Sequence, residues 1–280
     1  MAPPKISVII PTYGEERRKK LNSLLSEIEK QDYESREVLV IDGRDGQGRA
    51  INRGAASAVG EILLILDDDT ILGHRGLFRN MVGVLEQDKK VGMVGASTIP
   101  RPDDSLFQKI AIMQVPRRYF PVVDVVTESD MVHHPCCAIP KRVFEEIGGE
   151  NEVLIRGLDP DLRHRIRNKG YKIVIAPNSW IYHPLPNSLW GIFKMYFKNG
   201  QGAAFAYMVN PDLVCEVADT YQALPMPQKT NLTYRMFRFA KRFLWNIITF
   251  KMIKITAMTA YGMGYMTGFF TYRKYRPDER

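Results

Sequence analysis

The chain has 280 residues, carries a net charge of +8, and is 45% hydrophobic and 25% charged. These values are close to those of an average soluble globular protein, so they exclude a disordered chain, a collagen-like repeat and a polytopic membrane protein. The three cysteines, of which Cys136 and Cys137 are adjacent, form neither a disulfide framework nor a zinc-binding spacing, and they favour a reducing compartment. Pro11 ends the apolar run that begins at Ile6, so no signal peptide is expected.

The positive charge is concentrated near the C-terminus. Residues 229–280 contain five Lys and six Arg against two acidic residues, a net charge of +9, whereas residues 1–228 sum to about −1. A near-neutral body with a basic, apolar tail is unlike the basic groove of a nucleic-acid-binding protein. The pattern predicts a globular enzyme with a segment that binds an anionic surface, and no nucleic acid partner.

Short β-branched runs alternate with helical patterns in the N-terminal part of the chain. Strands are predicted at 5–10, 37–42, 61–66 and 91–96, and helices at 16–31, 48–60 and 74–87. This alternation predicts a parallel sheet that is covered by helices on both faces. Because ligands of such sheets bind beyond the carboxyl ends of the strands, the residues that follow each strand are the first candidates for a site.

Three of the four predicted strands end in polar residues. The first opens onto 11–15, the second onto the glycine-rich loop 42–48, which has neither Walker A nor dinucleotide-binding spacing, and the third onto Asp67, Asp68 and Asp69. Three adjacent carboxylates repel one another unless a cation neutralises them, and carboxylate oxygens suit Mg²⁺ or Mn²⁺. The alternative, that one Asp caps a helix while the others are solvated, explains one carboxylate but not three.

Six segments, taken in order, resemble the family 2 inverting glycosyltransferases, which have the GT-A fold. They are ISVIIPTYGEE (6–16), EVLVIDG (37–43), GRAINRGAASAVGEILLILDDDT (48–70), AIPKRVFEEIGGENE (138–152), GLDPDLRHRIRNKGYKIVIAPNSWIYH (157–183) and FKNGQGAA (197–204). The resemblance implies an α/β fold of GT-A type, with a Rossmann-like, mostly parallel sheet flanked by helices. It also implies a catalytic domain at about 1–220.

The resemblance assigns roles to particular residues. Asp159 would be the catalytic base, and Asp69, Asp67 and His183 would hold Mn²⁺ or Mg²⁺. The residues expected at the donor nucleotide are Pro11, Thr12, Tyr13, Glu15, Asp42, Arg49, Asp67 and Asp68. The residues expected on the acceptor side are Asp161, His134 and Trp190. Gly43 stands where the family usually has a second acidic residue, which leaves the identity of the nucleotide open. Leu158 stands in place of the family's Glu before the base, but Asp159 is retained, so catalysis is still expected.

Some of these residues also have a plainer interpretation. Asp161 is equally suited to capping the helix that starts beside it. Trp190 has the sequence environment of a core residue. His134 and its neighbour His133 invite a zinc interpretation, but acceptor-side or packing roles are favoured over zinc.

The C-terminal segment has a helical apolar stripe beside a row of cations. The stripe consists of Leu232, Met236, Phe239, Phe243, Ile247 and Phe250, and the flanking cations are Arg235, Arg238, Lys241 and Arg242. The following uncharged run, 255–272, is short for a spanning helix, which needs about 20 apolar residues. We expect a helical hairpin that lies in or re-enters the membrane surface, with a true span, or docking on the catalytic domain or a second protomer, as alternatives. Four apolar residues off the stripe predict additional packing on protein: Phe237, Leu244, Trp245 and Ile248.

The sequence therefore predicts a metal-dependent inverting glycosyltransferase that uses a UDP- or GDP-sugar. A basic helical tail at 221–280 would hold it at the cytoplasmic side of the cell membrane, where the acceptor would be lipid-linked or a surface glycan. One alternative is a soluble dimeric glycosyltransferase whose tail is the protomer interface. A non-catalytic nucleotide-sugar binding module is another, but it has no need of Asp159. A sugar-nucleotide pyrophosphorylase is disfavoured because its early GxGxRL loop is missing.

Overall fold

The computed structural model describes residues 5–115, 117–210 and 232–273. The strands are β1 (Ile6–Thr12), β2 (Arg36–Asp42), β3 (Ile62–Ile65), β4 (Ile71–Leu72), β5 (Val91–Thr98), β6 (Thr127–Glu128), β7 (Cys137–Pro140) and β8 (Lys172–Tyr182). The helices are α1 (Arg18–Glu29), α2 (Gln47–Ser57), α3 (Leu77–Gln87), α4 (Leu106–Gln114), α5 (Lys141–Glu146), α6 (Leu158–Asn168), α7 (Leu189–Val209), α8 (Leu232–Ile248) and α9 (Met252–Tyr272). A short 3₁₀ turn, Glu15–Arg17, precedes α1. The predicted domain boundary near 220 and Cys215 lie outside the described ranges.

A mixed sheet is the centre of the described residues. Its strand order is β2-β1-β3-β7-β5-β8-β4, with β6 paired to β8. The predicted N-terminal strands and helices are confirmed as β1, β2, β3 and β5 and as α1, α2 and α3. The predicted strands β1, β2, β3 and β5 run parallel, as expected, but β7 pairs antiparallel with both β3 and β5 and separates them. β7 contributes a four-residue apolar run, CAIP, which is too short to stand out in the sequence.

β1 and β3 are buried on both faces of the sheet because they are apolar at nearly every position. In β1, Val8 and Ile10 join the core beneath α1 and α3, whereas Ile9 joins the opposite core beneath α2 and α6. Side chains that alternate along a strand point to opposite faces of the sheet, so an uninterrupted apolar run requires helices on both sides.

The polar residues that follow the strands lie together at one edge of the sheet. β1, β3 and β8 run in the same direction, so their carboxyl ends meet at this edge. β7 runs the other way, and its amino end therefore brings His134 to the same place. Asp67 follows β3 and His183 follows β8. The antiparallel strand that was missed in the sequence is thus what brings the His133–Cys136 segment to the site.

A helical layer formed by α4, α7 and α9 packs beside this edge around Ile112, Ile192, Ile253 and Ala257. α9 lies so close to α7 that a Cβ on Gly264 would be 2.0 Å from the carbonyl oxygen of Phe197. The second half of the tail therefore docks on the N-terminal part of the chain, which was one of the alternatives. None of the helices in the described part of the chain is long and apolar enough to cross a membrane.

α8 is more exposed than the three helices of this layer, and its off-stripe residues were predicted wrongly. Phe237 is 68% exposed and Ile248 is 67% exposed, so they do not pack on protein within the described residues. Phe250, the last residue of the stripe, is 83% exposed in the turn between α8 and α9. Apolar side chains are therefore exposed both on and off the stripe. The side chains of Leu232, Arg235 and Met236 lie outside what the structure describes.

Candidate active site

The three carboxylates after β3 have different surroundings. Asp68 is 1% exposed; it accepts a 2.7 Å hydrogen bond from Thr12 Oγ1 and pairs with Arg17. It therefore ties the end of β3 to the end of β1 and to the turn before α1. Asp68 and Thr12, both expected at the nucleotide, bind each other instead. Arg17, their cationic partner, was missed because nothing in its sequence context marks it.

Asp67, Asp69 and His183 form a group that could hold a metal ion. One ligand atom of each lies within 4.8 Å of the others, and all three side chains are partly buried. The Nε2 atom of His183 is 3.2 Å from Oδ1 of Asp69. Two carboxylates and one imidazole are a donor set that fits a divalent cation, while leaving room for phosphate oxygens and water. The residues expected to bind a metal are therefore brought together.

The electrostatics of this group also fit a cation. Burial, helped by the nearby charges of Asp159 and Asp69, raises the pKa of Asp67 to about 6, although His183 and His134 oppose the change. Burial would raise the pKa of Asp69 too, but the hydrogen bond and charge of His183, with help from Lys20, hold it well below its usual range. Asp67 is thus a carboxylate that lacks a sufficient positive partner. A bound cation would supply that charge.

Two polar side chains contact these carboxylates and were not foreseen. Gln47, the first residue of α2, donates from Nε2 to Oδ1 of Asp67 at 2.8 Å. The Nζ atom of Lys20 in α1 lies 3.3 Å from Oδ2 of Asp69. Gln47 and Lys20 lie in helices that each follow a strand ending at this edge. The predicted order of strands and helices places these helices near the site, but no sequence motif marks the two residues.

Asp159 lies at the start of α6 and is held by His134. Its Oδ1 atom accepts the backbone N–H of His134 at 2.7 Å and lies 2.7 Å from Nδ1 of the same residue. The other ring nitrogen of His134 is 2.7 Å from Oε1 of Glu150. The side chain of Asp159 is 34% exposed, whereas those of His134 and Glu150 are buried. His134 was expected on the acceptor side, but its buried ring lies between the carboxylates of Asp159 and Glu150.

Burial disfavours the charged forms of Asp159 and His134, but the attraction between these two residues and Glu150 outweighs the effect of burial. Burial alone would raise the pKa of Asp159, yet the charge and hydrogen bond of His134 hold that pKa well below its usual range. Burial likewise would lower the pKa of His134, but the two flanking carboxylates raise it well above its ordinary value. The neighbouring His133 has no such partners, so burial lowers its pKa to about 3.

Asp161, the second acid of the GLDPDL segment, is not at the cleft. Its carboxylate is buried and accepts a 2.8 Å hydrogen bond from Nε of Arg165, one turn further along α6. Nη1 of Arg165 in turn donates to the carbonyl oxygens of Ile147 and Gly149. Asp161 therefore fixes the turn that leads to Glu150. Its predicted role as the cap of α6 was wrong, because the cap residue is Gly157, whereas its acceptor-side role stays a prediction.

The donor-side residues spread around the strand ends. Tyr13 is exposed, with the guanidinium of Arg44 6.0 Å from its ring centroid, and Pro11 is buried in β1. Asp42 ends β2 and accepts the backbone N–H of Arg44 at 2.9 Å. The remaining two lie in ion pairs: Glu15 binds Arg18 at 3.0 Å, and Arg49 lies 3.9 Å from Glu152.

The plainer interpretation of Trp190, as a core residue, was wrong, and its expected place on the acceptor side stays a prediction. It is 62% exposed at the first turn of α7, where its ring stacks on Phe193 and the ammonium of Lys194 lies 5.2 Å from the ring centroid. α7 starts shortly after His183, so Trp190 remains available to a substrate. Arg118, which the sequence did not single out, places Nη1 3.3 Å from Nδ1 of His183.

The His133–Cys137 segment shows no sign of a zinc site. Within the described residues, the group that could hold a metal consists of Asp67, Asp69 and His183. Nε2 of His133 lies 3.4 Å from the hydroxyl of Thr98, and Cys136 and Cys137 are buried free thiols whose pKa values burial raises.

Comparisons with known proteins agree with this geometry. The sequence model of the family described as "Glycosyltransferase like family 2" matches residues 40–202, a range that includes all three candidate metal ligands and Asp159. The structure resembles that of the mannosyltransferase PcManGT from Pyrobaculum calidifontis in complex with GDP-Man and Mn²⁺, with a TM-score of 0.60 and 18% identity over 94% of this chain and 87% of that chain. At this identity the similarity is one of fold, and it confirms the GT-A type. No curated protein matches the chain.

Proposed function

The chain belongs to the glycosyltransferase-like family 2, and we propose that it transfers a sugar from a nucleoside-diphosphate sugar to an acceptor hydroxyl with inversion at the anomeric carbon. The observation that carries this proposal is the meeting of a cation-binding group and a partly exposed carboxylate at one edge of the sheet. Asp67, Asp69 and His183 form the first, and Asp159 is the second.

The leaving group is a nucleoside diphosphate, so negative charge builds on its phosphate as the glycosidic bond breaks. A divalent cation held by Asp67, Asp69 and His183 would stabilise that charge. Gln47 and Lys20 hold the two carboxylates in place. Asp68 does not join them, because its carboxylate is engaged by Thr12 and Arg17.

Asp159 is the proposed general base. Its Oδ1 atom is engaged by His134, which leaves Oδ2 to accept the proton of the acceptor hydroxyl. As that O–H bond breaks, the acceptor oxygen forms a bond to the anomeric carbon from the face opposite the departing diphosphate, which leaves with the bonding electron pair. A single displacement inverts the anomeric centre. Asp159 also distinguishes an enzyme from a mere binding module, which has no use for a base at this position.

The donor class follows from the fold and the cation group. UDP- and GDP-sugars are the candidates, and GDP-mannose is the first to assay because the similar mannosyltransferase structure contains it. Exposed Tyr13 and Asp42 at the ends of β1 and β2 are the residues that we propose to contact the nucleotide. Exposed Trp190 is proposed to face the acceptor.

The tail supports a proposal about location. Residues 232–273 contain seven cations and no acidic residue, and α8 exposes large apolar side chains beside them. Cations attract anionic lipid headgroups, and apolar side chains enter the interface between headgroups and acyl chains. We propose that α8 lies on an anionic membrane surface while α9 fixes it to the catalytic domain. The acceptor would then be lipid-linked or a growing surface glycan.

The function is tested by incubating the protein with a panel of UDP- and GDP-sugars and measuring nucleoside diphosphate release, with Mn²⁺ and with EDTA. Release from one donor that requires Mn²⁺ would support the proposal. If no donor in the panel is turned over but one of them binds tightly, the non-catalytic binding module becomes the better interpretation.

A further inference from the structure

We infer that Glu150 and His134 are positioning residues that orient and charge-balance Asp159 through a buried carboxylate–imidazole–carboxylate row. This inference rests on the proposed role of Asp159 as the base. Neither residue contacts the candidate cation group, and neither is open to the acceptor, because both side chains are buried. They would act on the reaction only through Asp159.

The geometry of the row fixes which oxygen of Asp159 is reactive. His134 presents two groups to Oδ1, its backbone N–H and its Nδ1, each at 2.7 Å. With Oδ1 doubly engaged, Oδ2 is the oxygen left for a substrate proton, and it belongs to a side chain that is 34% exposed. A base is efficient only when its accepting atom is held within hydrogen-bond reach of the proton.

Glu150 in turn holds the imidazole. Its Oε1 lies 2.7 Å from Nε2 of His134, so both ring nitrogens face carboxylates and both must carry protons to bind them well. The backbone of Glu150 is fixed by Asn52 of α2, whose side chain accepts the Glu150 N–H at 2.7 Å and donates to the Glu150 carbonyl at 3.0 Å. α2 therefore fixes the backbone of Glu150, and with it the place from which the Glu150 side chain reaches His134.

A purely structural explanation does not fit this arrangement. Glu150 Oε2 is buried and has no hydrogen-bond partner among the described residues. An ion pair inside a protein loses much of its attraction to desolvation, and apolar side chains of similar volume often stabilise the fold as well or better. A buried ionic row that adds little stability to the fold is explained if it keeps an imidazolium against Asp159.

Other charged or titratable groups act on the same row. From α6, Arg163 lowers the pKa of Asp159, as does His133, while Asp67 after β3 and Cys137 of β7 feel the charge of Asp159. Unlike these groups, which act on the row through their charge, His134 is in direct contact with the Asp159 carboxylate. Removing its positive charge leaves burial to act on Asp159 with weaker opposition. The carboxylate would then become protonated at a higher pH.

The test compares His134→Gln and Glu150→Gln with the matched controls His164→Gln and Glu146→Gln, which change the same residue types away from the row. We expect His134→Gln and Glu150→Gln to lower kcat about 10- to 100-fold while the KM for the donor stays within about twofold. We expect the acidic limb of the pH–rate profile to move to higher pH in His134→Gln by about one unit. The controls should match the wild type.

An NMR measurement supplies a readout that does not depend on turnover. In the wild type at pH 7.5, the imidazole of His134 should carry protons on both nitrogens, and Glu150→Gln should lower the pH at which it loses one. A neutral His134 in the wild type would overturn the inference even if His134→Gln fails to fold.

The outcomes separate this inference from the proposed function. If Asp159→Asn is inactive while His134→Gln and Glu150→Gln behave like their controls, the row has no positioning role and the base remains. If Asp159→Asn transfers sugar at the wild-type rate, the base assignment fails and the inference fails with it.

Discussion

The Nε2 atom of His183 lies 3.2 Å from Oδ1 of Asp69, so the ends of β8 and β3 meet at a shared polar contact. These strands are not neighbours in the sheet, since β7 and β5 lie between them. The contact therefore depends on the residues that extend beyond the strands and converge over the sheet edge. A cation bound by Asp67, Asp69 and His183 would tie together the two halves of the sheet.

The first prediction concerns Asp69. Asp69→Ala removes one of three candidate ligands, so Mn²⁺ affinity and Mn²⁺-dependent nucleotide affinity should both fall, by at least about 10-fold. Isothermal titration calorimetry with Mn²⁺ alone and then with nucleoside diphosphate measures both. Asp88→Ala, which changes an exposed acid paired with Lys172, is the control and should bind as the wild type does. Unchanged Mn²⁺ affinity in Asp69→Ala would remove Asp69 from the ligand set.

The second prediction concerns pH. The folded-state pKa of Asp67 is raised to about 6 from an ordinary value near 4, so without a cation the folded state is favoured below that ordinary value and loses stability as pH rises through about 6. Mn²⁺ should offset this loss, because it binds the ionised carboxylate. We therefore expect Mn²⁺ to raise Tm more at pH 7.5 than at pH 5 in thermal unfolding. An equal increase at both pH values would contradict binding through Asp67.

The third prediction concerns the contact between α7 and α9. Gly264→Ala places a methyl group 2.0 Å from the carbonyl oxygen of Phe197, so it should lower the free energy of unfolding by about 1–3 kcal/mol. Gly262→Ala, in the same helix, has nothing within 4 Å and should be neutral or stabilising by about 0.5–1 kcal/mol. Urea unfolding of both variants measures the difference. Equal stability would show that α9 does not dock on α7 in solution.

The fourth prediction concerns α8. Each Lys or Arg near an anionic bilayer contributes about 1 kcal/mol of attraction, screened over about 10 Å at 0.1 M salt. Replacing Arg238, Lys241 and Arg242 by Gln should therefore reduce flotation with phosphatidylglycerol vesicles, with little change for neutral vesicles. Lys89, Lys90 and Lys169, exposed elsewhere on the domain, are the matched control triple.

Two results would count against membrane binding by α8. Equal flotation of the wild type and the α8 variant would show that these cations do not attract the bilayer. A concentration-dependent dimer that fails to float would favour a protomer interface on the same apolar surface.

The sequence predicts the N-terminal strands and helices well because each has a clear period and a polar end. It does not predict β7, whose four apolar residues resemble any short buried segment. That strand decides where His134 lies, so the sequence could name His134 but could not place it behind Asp159. Glu150 was missed for the same reason: its partner comes from a different segment, and only the folded chain shows the contact.

Other differences arise from packing that the sequence pattern does not encode. Asp68 and Asp69 are adjacent and chemically identical, yet one binds Thr12 and Arg17 while the other lies beside His183. Trp190 has apolar neighbours in sequence but is exposed, because the buried side of α7 is the one that carries Ile192 and Tyr196. The apolar period of α8 indicates a helix, but the period alone does not say what covers either face.

The most direct measurement is sugar transfer by the wild type and by Asp159→Asn, followed as nucleoside diphosphate release from the donor identified in the panel, in Mn²⁺ and with the acceptor present. Asn keeps the size of the side chain but cannot accept a proton. We predict that Asp159→Asn binds Mn²⁺ and nucleotide like the wild type while its transfer rate falls about 10²- to 10⁴-fold. Transfer at the wild-type rate in Asp159→Asn would contradict a base at the start of α6.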